Sequence, residues 1–174
     1  MKKFLLIVLA FALALVGYLT TQGLFRSVDV QQGEQGGFIL LGKDHVGPYS
    51  EVGQVYEEFY ALYPEGDFAG IYYDDPDEVS SDSLRAFVGI KVSAAEGLDQ
   101  IAQHPTMRLL SVDRRPAHYI DWKASAGSMA AILIGTMKCY PALGEACTTT
   151  GWSGQEVLAY EEYTDNGIRF VMQY

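Results

Sequence analysis

The chain has 174 residues and a formal net charge of −10, with hydrophobic residues at 49% and charged residues at 20%. This length and composition fit one packed domain with a short terminal appendage. The acidic balance and the lack of a basic stripe argue against nucleic acid as a partner, because phosphates bind clustered Lys and Arg. A negative field favours cationic ligands or basic partners, unless it serves solubility alone.

The N-terminus is an apolar segment preceded by Lys2 and Lys3. Small and apolar residues run unbroken from Phe4 to Leu19, which with its flanks reaches the ~17–20 residues that a membrane-spanning helix needs. A cleavable signal peptide would place its small-residue cleavage site after a shorter apolar core. Ala12 and Ala14 lie inside the run instead, so the pattern favours an uncleaved signal anchor.

The charges on the two sides of this segment predict its orientation. Two lysines precede the segment and one cation, Arg26, follows it. This bias predicts an N-terminus in the cytoplasm and a folded domain outside the cytoplasm. We therefore expect a single-pass membrane protein with a signal anchor over 1–24 and a polar tether with little to pack over 25–35.

Two later stretches, 36–92 and 115–174, have the same order of predicted elements. Each is predicted to form a strand, a helix and two further strands. The helix of the first stretch is predicted to begin at Ser50 as its N-cap and to end before Pro64, because apolar residues recur at three- and four-residue steps. Alternation from Leu84 to Val92 predicts a half-buried strand.

The connector 93–114 is predicted to hold a short helix and a short strand before the second stretch begins. These two elements and the four of the second stretch are expected at 94–102, 107–112, 115–123, 128–140, 156–163 and 168–174. The helix from Ser128 to about Tyr140 is apolar on most of its circumference. Such a helix is either deeply buried or in contact with another surface, such as a membrane or a partner.

Together these elements predict an α+β fold over 36–174. Duplicated β-α-β-β units would form one mainly antiparallel sheet with two helices on one face. A groove between the helices, on a pseudo-twofold axis, is a natural ligand site.

Few residues have the spacing of a known catalytic or metal site. The histidines at 45, 104 and 118 are not paired on one helix face and are predicted to be surface or strand-end residues. No nucleophile elbow, phosphate loop or dinucleotide fingerprint is present, so no cofactor is expected. Cys139 and Cys147 either form a disulfide that closes a loop around Pro141 and Gly144 or remain unpaired thiols.

Aromatic residues are the most abundant material for a binding site, with 12 tyrosines, 8 phenylalanines and 2 tryptophans. On the predicted strand over 156–163, Glu161 and Tyr163 share one face, and Ile71 and Tyr73 are predicted to occupy the equivalent face of the first unit. If this face lines the groove, desolvation raises the pKa of Glu161 and a bound cation lowers it again. Otherwise Glu161 is a solvated glutamate at a strand end.

Three motifs in order resemble the GyrI-like small-molecule-binding domain, which also serves as the effector domain of AraC-type and MerR-type regulators. They are His45-Val-Gly-Pro-Tyr-Ser50, Gly70-Ile-Tyr-Tyr-Asp-Asp-Pro76 and Tyr160-Glu-Glu-Tyr-Thr-Asp165. The last resembles the family's Phe-Glu-x-Tyr strand, which implies that Glu161 is the central ligand-contacting acid. The resemblance covers roughly 37–174.

The apolar segment before this domain resembles a membrane-anchored branch of the family that includes an animal endoplasmic-reticulum autophagy receptor. That receptor has a long C-terminal tail with its adaptor motif, which is absent after the last predicted strand here, so receptor activity is not expected. The second helix is preceded by Ala124-Ser-Ala-Gly127 where the first has Gly-Pro-Tyr, so Tyr49 has no symmetric counterpart.

The resemblance implies a membrane-anchored binding protein rather than an enzyme. Its expected ligand is a small, hydrophobic and cationic molecule. The expected ligand-binding residues are Glu161, Tyr163, Tyr73, Tyr49 and Trp122. Some relatives of this family hydrolyse reactive small molecules, so a hydrolase with Glu161 as acid or base is an alternative. A protein-interaction module with a vestigial pocket is another.

Overall fold

The computed structural model describes residues 1–123, 128–152, 157–164 and 166–174, and within them eight strands form one antiparallel sheet. The strand order is β1-β6-β8-β7-β3-β4-β2-β5. The elements are α1 (Lys2–Thr21), β1 (Gln31–Gln35), β2 (Phe38–Val46), α2 (Val52–Leu62), β3 (Phe68–Tyr72), β4 (Arg85–Val92), α3 (Ala94–Gln103), β5 (Arg108–Val112), β6 (Arg115–Trp122), α4 (Met129–Thr149), β7 (Leu158–Thr164) and β8 (Gly167–Gln173).

The duplicated β-α-β-β organisation is confirmed. One unit is β2-α2-β3-β4 and the other is β6-α4-β7-β8, with α3 and β5 in the connector between them. The two units join at the centre of the sheet, where β3 and β7 pair antiparallel and Gly70 lies opposite Glu161. This join relates the units by a pseudo-twofold rotation.

Both faces of the sheet are buried, by different means. On one face α2 and α3 cover β2, β4 and β5, and α4 covers β6 and β8; Phe59 of α2 and Leu143 of α4 are fully buried there. On the other face the sheet curls on itself, and Phe87, Tyr160 and Val171 join one apolar cluster. Because successive side chains of a strand point to opposite faces, the sheet separates two apolar cores.

The helix α4 is longer than the sequence predicts. It continues through Pro141 to Thr149 rather than ending near Tyr140, because Leu143 and Cys147 beyond the proline are buried against the sheet. Cys139 and Cys147 are both free and buried. Eight residues in one helix separate them by about 12 Å, beyond the ~7 Å between Cα atoms that a disulfide spans, so the unpaired alternative holds.

The stretch 25–35 is packed against the domain, in contrast to the predicted tether. Within it β1 pairs with β6 along its whole length, and Val28 and Val30 pack against the apolar cluster around Trp122. The strand itself has only glutamine, glycine and glutamate, so its backbone pairing with β6 and the apolar contacts of Val28 and Val30 before it hold the stretch to the sheet edge.

The start of the first helix also differs from the prediction. Ser50 lies in a 3₁₀ turn over Tyr49–Glu51, and α2 begins at Val52 without a side-chain cap. The lead-in Ala124–Gly127 to the second helix, Glu156 at the predicted strand start and Asp165 lie outside the described residues.

The helix α1 is exposed as far as Tyr18, and Leu19 near its end packs against the apolar cluster around Trp122. Its 20 residues have a mean hydropathy of 2.4, so it is long and apolar enough to cross a membrane.

Two glycines in α4 lie in opposite packing environments, and their substitution is expected to have opposite effects. A Cβ at Gly135 would lie 2.8 Å from Cδ1 of Trp122, whereas a Cβ at Gly144 would meet nothing within 4 Å. Gly135→Ala should lower the free energy of unfolding by about 1–3 kcal/mol through overpacking. Gly144→Ala should raise it by about 0.5–1 kcal/mol through helix propensity.

Urea unfolding of the full chain in detergent micelles measures both effects. Equal shifts of the same sign in the two variants would contradict the packing of α4 described here.

Candidate functional site

The carboxyl of Glu161 lies beneath the seam between the two long helices of the domain. Because α2 packs mainly on β4 and α4 on β6 and β8, the central strands β3 and β7 lie under the boundary between the helices. Glu161 occupies the middle of β7 and is 4% exposed. It is therefore a buried acid, and the alternative of a solvated glutamate is wrong.

Four tyrosines from four elements surround this carboxyl, and we call them with Glu161 the Glu161–tyrosine cluster: Tyr56 of α2, Tyr72 of β3, Tyr140 of α4 and Tyr163 of β7. Tyr163 donates to Oε2 of Glu161 at 2.6 Å and Tyr140 donates to Oε1 at 3.0 Å. The rings of Tyr56 and Tyr163 meet edge to face, with centroids 5.0 Å apart. The four tyrosines are half-buried, so their rings close the seam over the acid.

The cluster has room because the residue opposite Glu161 is glycine. A Cβ at Gly70 would lie 2.4 Å from the hydroxyl oxygen of Tyr56 and 3.2 Å from that of Tyr72. Since real Cβ atoms do not approach within these distances, any side chain at Gly70 would push the tyrosines away from the acid.

Burial controls the electrostatics of the cluster. Desolvation raises the pKa of Glu161, while donation by the hydroxyls of Tyr163, Tyr140 and Tyr72 offsets part of this rise. Desolvation is the main cause that raises the pKa of Tyr56, Tyr72 and Tyr140 well above its ordinary value, and the charge of Glu161 is the second. The pKa of Tyr163 is also raised well above its ordinary value, by desolvation, by the neighbouring Tyr56 and by Glu161. The hydroxyls therefore remain protonated donors at neutral pH.

Within the part of the chain that the structure describes, no Lys, Arg or His contributes to the pKa of Glu161. A buried carboxylate ordinarily has a cationic partner, because its desolvation is costly. Here aromatic hydroxyls donate to the carboxyl in place of a cationic side chain.

The hydroxyl of Tyr56 is the poorly bonded member of the cluster. It is buried and has no hydrogen-bond partner of good geometry among the described residues, although the hydroxyls of Tyr72 and Tyr163 are near enough to lower its pKa in part. An unsatisfied buried hydroxyl carries a desolvation penalty of about 1–3 kcal/mol.

Of the five residues predicted to bind ligand, only Glu161 and Tyr163 lie in the cluster. The strand face predicted for Tyr73 is wrong, because the register places Gly70 opposite Glu161 and thus Tyr72, one position earlier, on its face. Tyr73 instead lines a surface cleft with Arg85, whose guanidinium lies 6.0 Å from its ring.

Tyr49 supports the cluster from outside. Its hydroxyl lies 2.9 Å from the carbonyl oxygen of Asp74 and accepts the Asp74 N–H at 3.1 Å. Its ring meets Tyr72 edge to face at 5.0 Å. Tyr49 thus fixes the loop after β3 and buttresses Tyr72 without touching Glu161.

Trp122 is a core residue of the second unit. It is 2% exposed and its indole N–H donates to the carbonyl oxygen of Ala131 at 3.0 Å. It anchors the start of α4 to β6 and belongs to the apolar cluster against which Tyr140 and Tyr163 also pack.

Tyr56, Tyr72 and Tyr140 were not predicted as site residues. Tyr56 lies on the predicted apolar face of its helix, so its position was foreseeable but its role was not. The adjacent tyrosines Tyr72 and Tyr73 point to opposite faces of the sheet, and the sequence of a short strand does not determine which of them faces the helices. Tyr140 lies on a helix whose apolar circumference gives no single inward face.

Two surface clefts of about 300 and 450 Å³ lie away from the cluster. The larger is lined by β1, the end of α4 and His118. His118 is buried inside β6, contrary to its prediction as a surface or strand-end residue, and its Nε2 lies 3.1 Å from the Thr150 hydroxyl. Neither cleft is lined by a residue of the Glu161–tyrosine cluster.

No family model matches the chain. The chain is similar to human testis-expressed protein 264, with 26% identity over 181 residues that cover 95% of this chain and 53% of that protein. It thus spans about half the length of the curated relative it matches.

Among solved structures, the chain is similar to three bacterial proteins, each covering 83% of it. They are an integron cassette protein of Vibrio cholerae (TM-score 0.44, 13% identity, 94% of that chain), an uncharacterized conserved protein of Listeria innocua (0.48, 9%, 90%) and a hydrolase of Listeria innocua (0.46, 11%, 90%).

The raised pKa of Glu161 makes stability depend on pH. Above its ordinary pKa of 4.5, the folded chain binds more protons here than the unfolded chain, so the free energy of unfolding falls as the pH rises through the folded pKa. The Glu161→Gln variant has no ionisable group at this position, so it lacks this pH-dependent fall in the free energy of unfolding. We expect the melting temperature of Glu161→Gln minus that of the wild type to increase from about pH 4 to about pH 8.

Thermal melts of both full-length proteins across this pH range provide the measurement. A temperature difference that stays constant or shrinks with rising pH would show that Glu161 titrates as an ordinary solvated carboxyl.

Two Tyr→Phe substitutions separate bonded from unbonded hydroxyls. Tyr163→Phe removes a 2.6 Å hydrogen bond to the carboxyl and should lower the free energy of unfolding by about 1.5–3 kcal/mol. Tyr56→Phe removes an unsatisfied hydroxyl and should be neutral or stabilising by up to about 1 kcal/mol. Denaturant titration compares them, and an equal loss in both would mean that the Tyr56 hydroxyl is bonded.

Proposed function

We propose that this protein is a membrane-anchored binder of small hydrophobic cations and that the Glu161–tyrosine cluster is its binding site. The observation that carries the proposal is a buried carboxyl walled by aromatic rings without a cationic side chain in the described structure. A ligand cation would supply the missing charge.

The chemistry of the cluster suits such a ligand in two ways. A positive charge beside Glu161 favours its ionised form and lowers its raised pKa. Tyrosine rings attract the same charge through their negative faces, by about 2 kcal/mol or more when the pair is desolvated. The apolar parts of the rings accommodate the hydrophobic body of the ligand.

Ligand entry requires one tyrosine to move, because the rings close the seam. Tyr56 is the member that can leave with the smallest loss, since its hydroxyl makes no well-formed hydrogen bond. Tyr163 and Tyr140, in contrast, both donate to the carboxyl. We infer that the Tyr56 ring swings outward and the ligand takes its place.

The membrane part of the proposal rests on α1. Its exposed apolar length matches a bilayer core, and Lys2 and Lys3 before it against Arg26 after it favour a cytoplasmic N-terminus. The folded domain would then lie outside the cytoplasm, next to a lipid phase into which hydrophobic cations partition.

A thermal-shift assay of the full chain in detergent tests the binding site. The probe is tetraphenylphosphonium, with triphenylphosphine oxide as a neutral compound of related shape. At a hundred times its dissociation constant the cation should add about 2.7 kcal/mol of stability. This shift should be lost in Glu161→Gln.

Glu162→Gln is the matched control. Glu162 is adjacent in sequence but on the other face of β7, where it pairs with Lys91, so its variant should melt lower yet keep the ligand-induced shift. A cation shift that survives Glu161→Gln would overturn the proposed site. No shift with any cation would favour an interaction module, and consumption of the probe would indicate an enzyme.

A further inference from the structure

The side chain of Tyr56 occupies a position with apolar walls and a polar inner end. Its ring meets Tyr163 and Phe68 edge to face, at centroid distances of 5.0 and 6.2 Å, and packs against the apolar cluster that includes Val88. Its hydroxyl oxygen lies over Gly70, the residue that pairs with the acid of the Glu161–tyrosine cluster. A group that takes the place of Tyr56 therefore has apolar contacts along one ring length and polar contacts at its tip.

The groups at this inner end present mainly hydrogen-bond acceptors. The hydroxyl hydrogens of Tyr163 and Tyr140 are both donated to the carboxyl of Glu161. A phenol has one hydrogen and keeps lone pairs on its oxygen, and an ionised carboxylate has lone pairs alone. Once the phenols have donated to the acid, a group in the place of the Tyr56 hydroxyl meets oxygens that can only accept.

A single hydroxyl matches this surrounding poorly. The hydroxyl of Tyr56 is buried and has no well-formed hydrogen bond among the described residues, although the hydroxyls of Tyr72 and Tyr163 lie close by. A primary ammonium has three hydrogens and no lone pair, so it can donate to several of these oxygens at once. It also carries the positive charge with which a buried carboxylate is ordinarily paired.

The space over Gly70 restricts the head group further. A Cβ at Gly70 would lie 2.4 Å from the hydroxyl oxygen of Tyr56 and 3.2 Å from that of Tyr72, so the hydroxyl position lies close to the strand backbone. An N–H group approaches an acceptor oxygen to about 2.7–3.0 Å between heavy atoms. A methyl carbon needs about 3.5 Å or more, so a quaternary head group is too large for this position.

We propose that the site selects a primary ammonium carried by one aromatic ring, with the ring replacing that of Tyr56 and the ammonium replacing its hydroxyl. The ammonium donates to the carboxyl of Glu161 and to the hydroxyl oxygens beside it. The inference rests on the proposed function and narrows its ligand class from hydrophobic cations in general to protonated arylalkylamines. Tetraphenylphosphonium has no N–H group, so it would bind through ring faces without reaching the inner end.

A series of N-methylated benzylamines tests this selectivity in the unmodified protein. Benzylammonium, its N-methyl and N,N-dimethyl derivatives and benzyltrimethylammonium share one ring and one charge at neutral pH but lose their N–H groups one by one. Isothermal titration calorimetry of the full chain in detergent should show affinity falling along the series. The quaternary compound should bind about a hundredfold more weakly than benzylammonium, because it cannot donate to the acid.

Two tyrosine variants of α2 test the place of the ring. Tyr56→Ala removes the ring that the ligand must displace, so benzylammonium should bind about tenfold or more tightly than to the wild type. Tyr60→Ala is the matched control, since Tyr60 also stacks on Phe68, at 5.8 Å, but is 61% exposed. Its affinity for benzylammonium should equal that of the wild type. The methylation series needs no variant, so it decides the selectivity even where Tyr56→Ala does not fold.

The outcomes separate this inference from the proposed function. Affinity that stays level or rises with methylation would refute the ammonium selectivity, because cages of aromatic faces bind quaternary ammonium ions well. A tetraphenylphosphonium shift that is lost in Glu161→Gln would then still support cation binding at the cluster. Equal gains in Tyr56→Ala and Tyr60→Ala would refute the place of the ring. Absence of binding by both benzylammonium and tetraphenylphosphonium would overturn the inference together with the proposed function.

Discussion

The pairing of β3 with β7 is the constraint on which the rest of this structure depends. It joins the two units and places Gly70 opposite Glu161 at the middle of an eight-stranded sheet. With β3 and β7 under the seam, each helix covers only its own half of the sheet. The carboxyl of Glu161 thus lies where neither helix backbone shields it, and side chains alone must close the gap.

Tyrosine meets this constraint better than an apolar residue would. A buried acid needs donors, and a phenol supplies one at the end of a rigid apolar ring. Tyr163 and Tyr140 fill the seam and satisfy both carboxyl oxygens of Glu161. A salt bridge would neutralise the acid more completely, as Lys91 does for Glu162 on the other face. Among the described residues no cation pairs with Glu161, and a binding function would explain why such a pair is missing.

The sequence predicted the order of elements well and their phase less well. The repeated β-α-β-β pattern and the connector elements follow from periodicity, which is strong in Leu84–Val92 and in α2. The predicted orientation of the side chains was wrong in β3, a five-residue strand that ends at Tyr72 and is followed by Tyr73. Either tyrosine can face the helices until the partner strand fixes the register. Helix length failed at Pro141, because tertiary burial beyond a proline is not visible in local propensity.

The helix α4 connects the segment after α1 to the Glu161–tyrosine cluster, and this connection bears on which tyrosine would move in the proposed binding. Trp122 and Lys138 hold its first half against β6 and the segment after α1, and Tyr140 follows two residues after Lys138 on the same helix. Tyr140 is therefore fixed relative to the segment after α1. Tyr56 belongs to α2, which packs on the opposite half of the sheet. Any opening that admits a ligand should then separate α2 from α4 by displacing Tyr56, while the carboxyl keeps its bonds to Tyr140 and Tyr163.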